Sequence, residues 1–206
     1  HALLLAAAGP FSAPVIAQAP KLAETLIIPV ADAQAFLEAK FAMFPRFEEW
    51  KEEVKAETSN LGYVTTCMGA RRHLREALLS DNKWDIEKAL RQGPNFKIQG
   101  SSAEQTKLAM ARVWRSGVLW KYDVVFFAPI HDELVFSVHR DHALEVIKIF
   151  HDAMVEPYGD LPVPFLGSIS LGPNFGKQYE AGDWYIEENI KEILVKIFSG
   201  EVAEVA

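Results

Sequence analysis

The chain has 206 residues, half of them hydrophobic and 24% charged, and a formal net charge of −7. That length suits one globular domain or one and a half, burying roughly 70% of its unfolded surface. Cys67 stands alone, which excludes an internal disulfide and a cysteine-rich zinc site, and no apolar run reaches transmembrane length.

In chain order, the first segment is HALLLAAAGPFSAPVIAQAP, which opens on His1 where an initiator methionine would stand. The chain therefore reads as a processed product or a piece of something longer. Its apolar stretch followed by Ala17-Gln18-Ala19 has the look of a secretory leader. No Lys or Arg precedes that stretch, however, and Gly9, Pro10 and Pro14 interrupt it. The plainer expectation is a buried helix end followed by a loop, with export as the alternative. PVADAQAFLEAKFAMF is helical, with Asp32 able to cap and Phe36, Leu37, Phe41 and Phe44 at helical spacing. Pro45 ends or kinks it. A Glu- and Lys-rich helix runs from Arg46 to about Ser59 and stops at Asn60–Gly62.

YVTTCM alternates like a short strand. DNKWDIEKALRQ is a short helix, expected to close at Gly93-Pro94. SSAEQTKLAMARVWRSG opens with Ser101-x-x-Glu104, a capping box, and runs to Gly117. Next come two β-forming runs, YDVVFFAPI and LVFSVHR, flanking His131-Asp132-Glu133, which together predict a hairpin. DHALEVIKIFHDAMVEP is amphipathic, with Leu144, Ile147 and Met154 on one stripe and Val146 and Phe150 alongside. VPFLGSISLG reads as a last strand and WYIEENIKEILVKIF as a further helix. This order suggests an α+β fold with a small antiparallel sheet.

Charge is unevenly spread. Arg71 to Lys121 holds 11 basic and 5 acidic residues, a balance of +6, against −13 in the remainder. A basic middle within an acidic chain is the footprint of a surface facing a polyanion, or simply a solvated helix face. The triplet at 131–133 is the sharper signal. Ionised carboxylates inside an apolar run need water or a cation. A hairpin tip keeps them wet while the strands are buried. Alternation along the strand places Asp132 and Glu133 on opposite faces, so they are not equivalent ligands of one ion.

Four blocks, in order, resemble the C-terminal part of family A DNA polymerases, the bacterial DNA polymerase I and phage polymerase group. AQAFLEAKFAMFPRFEEW is similar to the fingers helices, and GYVTTCMGARRHL to the G-Y-V-x-T-x-x-G-R-R segment. RQGPNFKIQGSSAEQTKLAM is similar to the stretch ending in Q-G-T/S-A-A-D, and IHDELVF to motif C of the palm. The match covers about Ser12 to Gly176.

The resemblance implies a small antiparallel palm sheet with a motif C hairpin, flanked by helices, plus part of the helical fingers. It divides the chain into partial fingers helices (1–68), palm (69–178) and a C-terminal helical tail (179–206). It implies template-directed nucleotidyl transfer to a primer 3′-hydroxyl with two Mg²⁺ ions, Mn²⁺ being a substitute. Primer–template DNA and deoxynucleoside triphosphates would be the partners, without a membrane, in the cytoplasm of a bacterial or phage-infected cell. Asp132 would bind the metals, Glu133 would be an auxiliary carboxylate beside them, and His131 would touch the primer-terminal phosphate or sugar. In the bland alternative His131 caps the turn and Glu133 is merely solvated. Arg91, Asn95 and Gln99 match residues that contact template and primer in the minor groove, whose acceptors are nearly sequence-independent. A helix broken at Gly93-Pro94 would not place them on one face by spacing alone. Arg71 and Arg72 match an arginine pair, with Ala70 where a first arginine often stands. They read as phosphate contacts, or as ion-pair partners of the Glu-rich helix.

Two family segments have no counterpart: motif A, of D-Y-S-x-I-E type, and the basic residues of motif B, whose place holds LLLAAAGPF. Thumb and exonuclease sequences are also missing. One carboxylate cluster cannot supply the oxygen ligands of two divalent ions. The expectation is a fragment, catalytically silent alone and completed by an N-terminal polymerase portion supplying motifs A and B, with Leu3 to Leu5 exposed where that portion packs. The alternatives are a DNA-binding remnant that uses no metal, and an exported protein cleaved after Ala19.

Overall fold

A computed structural model describes residues 2–8, 19–159 and 164–199. The elements are β1 (Ala2–Ala8), α1 (Ala19–Leu26), α2 (Val30–Ala42), α3 (Pro45–Leu61), β2 (Tyr63–Thr65), β3 (Arg71–His73), α4 (Arg75–Leu78) and α5 (Lys83–Ser116). There follow α6 (Val118–Lys121), β4 (Val125–Ile130), β5 (Glu133–His139), α7 (Ala143–Val155), β6 (Ser168–Asn174), β7 (Lys177–Gly182) and α8 (Glu187–Phe198). The described residues fall into two compact units, one from Ala19 to Ser101 and one made of β1 with Ser102 onward. The mixture of helices with small antiparallel sheets is the α+β class expected.

In the first unit, α3 starts with Pro45, whose fixed φ suits a first helical turn. It ends where Gly62, at φ 74°, donates its N–H to Thr58 O at 2.9 Å. Its exposed side carries Arg46–Glu53 and Lys55–Glu52 pairs. Arg46 accordingly holds the Glu53 carboxyl below its ordinary range. Beneath, Val54, Val64, Leu74 and Ala89 form a small core joining α3, β2, the loop before α4, and α5.

The expected break at Gly93-Pro94 does not occur: α5 is one helix with Pro94 inside it. Gly93 serves packing. A Cβ there would lie 2.4 Å from Thr58 Oγ1, and that hydroxyl is fixed by donating to Val54 O at 2.7 Å. Gly100 similarly admits Thr66, whose Cγ2 would stand 2.8 Å from an added Cβ. A proline removes one helical hydrogen bond, and burial against α3 compensates. The predicted capping box is also overturned. Ser101 lies mid-helix, where its hydroxyl donates to Lys97 O and accepts from Cys67 N at 3.0 Å.

In the second unit a five-stranded antiparallel sheet has the order β4-β5-β1-β6-β7. The expected helix end near the N-terminus is instead the central strand. Ala2 pairs with His139 through to Ala8 with Glu133, while Leu4 to Ala8 pair with Gly172 to Ser168 on the other edge. Leu3 to Leu5 thus belong to a strand hydrogen-bonded on both sides, not to an unpaired end. The leader-like cleavage site at 17–19 falls partly on residues outside those described. β7, absent from the sequence-based expectation, pairs with β6. One sheet face meets α7 and α8 through Leu134, Phe136, Val138, Val146, Phe150 and Ile190, all essentially inaccessible to solvent. Phe136 stacks on Phe150 at 3.7 Å between ring centroids. Arg112 and Gln105 of α5 donate to Ala153 O, Met154 O and Glu156 O, occupying carbonyls that the end of α7 leaves unpaired. Among the described residues no helix is long and apolar enough to cross a membrane.

Candidate active site

The sheet-bearing unit presents the acidic turn. β4 and β5 pair from Val125–Ser137 to Ile130–Glu133, leaving His131 and Asp132 as a two-residue hairpin loop. His131 has φ 55°, a left-handed conformation that β-hairpin turns demand but that usually falls to Gly, Asn or Asp. Its side chain is exposed, whereas Asp132 and Glu133 are half-buried. Two features hold the turn. Leu134 to Val138 are buried on both faces of β5. On the edge strand β4, Pro129 needs no ladder donor and Phe127 forms a bulge, since Phe126 pairs with Phe136 and Ala128 with Val135.

Neither the Asp132 nor the Glu133 carboxylate has an ion-pair or hydrogen-bond partner among the described residues. None of their oxygens is among the buried side-chain atoms left without a partner, so water can solvate them and a cation could take water's place. The carboxylates are hard oxygen donors suited to Mg²⁺ or Mn²⁺. Yet no group of three or more His, Cys, Asp or Glu side chains able to hold a metal forms among the described residues. The β1 residues in register with the turn end of β5 are Ala7 and Ala8, types without a side-chain donor. Asp132 and Glu133 alone do not make up a metal-binding group among the described residues.

The other unit gathers the five remaining candidates. Because α5 is continuous, Arg91, Asn95 and Gln99 recur every four residues on one face, and Asn95 Nδ2 donates to Gln99 Oε1 at 3.3 Å. Arg91 lies 3.6 Å from Glu87 and its guanidinium sits 5.3 Å from the ring centre of Trp84. Arg71 and Arg72 are exposed on β3 and make no ion pair with the Glu-rich helix α3. Instead they lie over aromatic rings, Arg71 over Tyr63 at 5.0 Å and Arg72 over Phe96 at 5.7 Å. Phe96 neighbours Asn95, so the ribbon and the helix face meet. Several other cations of the basic middle are committed elsewhere, Lys97 to Glu57, Arg112 to Glu156 and Lys121 to Glu145. The sequence-based reading passed over Trp84. Its signal was the spacing of seven residues to Arg91 inside a segment already read as helical; its alignment with Asn95 and Gln99 required the helix to continue through Gly93-Pro94.

One unit thus carries an acidic hairpin on a buried antiparallel sheet, and the other a helix face of guanidinium and amide donors, in a mixed α+β fold. The family profile of DNA polymerase family A matches residues 16–177, and the chain belongs to that family. It is 32% identical over 155 residues to the thermostable DNA polymerase I of Thermus aquaticus, covering 75% of this chain and 18% of that protein. To DNA polymerase I of Streptococcus pneumoniae (strain TIGR4) it is 30% identical over 161 residues, 78% of this chain and 18% of the relative. The POL domain of Pol1 from M. smegmatis, solved in complex with DNA primer-template and dNTP, is similar with a TM-score of 0.67. It is 30% identical and overlaps 75% of this chain and 27% of that one. The chain thus spans under a fifth of the length of these curated relatives.

Proposed function

We propose that this chain is the motif C-bearing part of a DNA-directed DNA polymerase that extends a primer 3′-hydroxyl on a template. The observation that carries the reading is the hairpin loop itself: a strained His131 and two half-buried, unpartnered carboxylates on a rigid strand, inside the family match. Asp132 would be one ligand of the divalent ions, Mg²⁺ or in its place Mn²⁺, with Glu133 beside it and His131 toward the primer terminus. When bound, such ions supply charge to the attacking and leaving oxygens of an in-line displacement. The remaining ligands would come from an N-terminal polymerase portion carrying motifs A and B, which also holds the deoxynucleoside triphosphate. In this reading the fingers-type helices fall within 19–68 of the expected 1–68, since β1 belongs to the sheet, while the palm takes 69–178 and the tail 179–206, whose first residues complete β7. Arg91, Asn95 and Gln99 would line the minor groove of the primer–template, with Arg71 and Arg72 on phosphates. The setting is the cytoplasm.

Primer extension by this chain combined with that N-terminal portion tests the proposal. Asp132→Ala should lower extension about 10³-fold or more, the loss of several kcal/mol of charge stabilisation, with an unchanged circular dichroism spectrum. Normal extension by the variant would refute the assignment. A second reading, a DNA-binding remnant without chemistry, is favoured by the incomplete ligand set among the described residues. Under it, primer–template affinity responds to Mg²⁺ only as to general salt.

A further inference from the structure

Trp84 stands in the first turn of α5 with 61% of its surface exposed. Trp114, Trp120 and Trp184 are exposed to a similar degree, so exposure alone does not single out Trp84; its neighbours on the helix do. Its place on the helix is specific. At 3.6 residues per turn, Trp84, Arg91, Asn95 and Gln99 fall within roughly 80° of one another around the axis. They span about 22 Å along it. The Arg91 guanidinium lies over the indole at 5.3 Å, and its pairing with Glu87 at 3.6 Å is a loose, solvent-facing contact. The face therefore ends, at its N-terminal limit, in a flat aromatic surface backed by a cation. Lys83 and Lys88 nearby make no ion pair among the described residues.

We infer that Trp84 is a stacking platform for an unpaired nucleobase of the bound nucleic acid, the overhanging template base next to the duplex being its occupant. The inference rests on the polymerase reading above. Its physical basis is that an indole face stacks on any base irrespective of identity, and the neighbouring guanidinium adds cation–π attraction and a phosphate contact. Bases inside a duplex already have both faces covered, so only an unpaired or terminal base can use the platform. Amide and guanidinium donors would follow the paired segment further along the same face, and the aromatic surface would mark where pairing stops.

Fluorescence anisotropy with the chain combined with the N-terminal portion tests this, using one labelled primer–template carrying a 5′ template overhang and one blunt duplex of the same paired sequence. Trp84→Ala should weaken binding to the overhang substrate about fivefold or more and leave the blunt duplex within twofold. Trp84→Phe, which keeps an aromatic face, should retain most of the affinity. With 2-aminopurine as the first unpaired template base, binding of the unsubstituted chain should quench its fluorescence and Trp84→Ala should not. Equal affinities for Trp84→Ala and the unsubstituted chain, or equal losses on both substrates, would overturn the platform while leaving the polymerase reading intact. Failure of the unsubstituted chain to bind either substrate even when combined with the N-terminal portion would instead overturn the polymerase reading, and the platform with it.

Discussion

His131 shows how one residue can be chosen against the preference of the backbone. At φ 55° it adopts a conformation that costs a side-chain-bearing residue roughly 1–2 kcal/mol. Glycine would suit the position, yet an imidazole stands there beside two carboxylates. Strain retained at such a place is the usual mark of a side chain kept for what it touches. His131→Gly should therefore stabilise the fold by about 1 kcal/mol, since glycine has no Cβ to clash. A raised thermal midpoint with unchanged secondary structure is the expected outcome, and an unchanged or lowered midpoint would remove the strain argument. The triplet itself was readable from residue types, because charges in an apolar run declare themselves. The positive φ was not. It follows from the exact two-residue loop length, which depends on the strand register.

At the scale of the element, α5 is the instructive case. Gly93-Pro94 is a local stop signal, and local propensity alone would end the helix there. The packing of Gly93 against Thr58 outweighs it, since only a residue without Cβ lets α5 approach α3 so closely. Gly93→Ala would gain helix propensity of about 1 kcal/mol but force a Cβ against a hydroxyl already fixed to Val54 O. We expect a net loss of about 1–2 kcal/mol in denaturant unfolding. In a Thr58→Ala background the same change should be neutral or stabilising, and a double-mutant cycle reads the difference. The consequence reaches the candidate site. Continuity of α5 is what aligns Arg91, Asn95 and Gln99, and it extends that line to Trp84.

For the molecule as a whole, the decisive element is β1. A seven-residue strand bonded along both edges holds the acidic hairpin to β6. Deleting residues 1–8 should abolish hydrogen-exchange protection of the Leu134–Val138 amides and remove the cooperative melting of the sheet, since β5 and β6 each lose their shared partner. Retained protection would show the sheet closing without it. Cleavage after Ala19, as the export alternative requires, would remove the same strand. By itself, the sequence determined the α+β class, the hairpin with His131, Asp132 and Glu133 and, through motif blocks, the family, whose resemblance alone pointed to 71–72 and 91–99. Residue types and short motifs carry that information. Only the tertiary structure decided that the alanine- and leucine-rich start is a central strand, that α5 passes unbroken through Gly93-Pro94, and that Trp84 joins its polar face. Strand pairing and close helix approach are set by partners far apart in the chain, and a local reading of propensity contains no term for them.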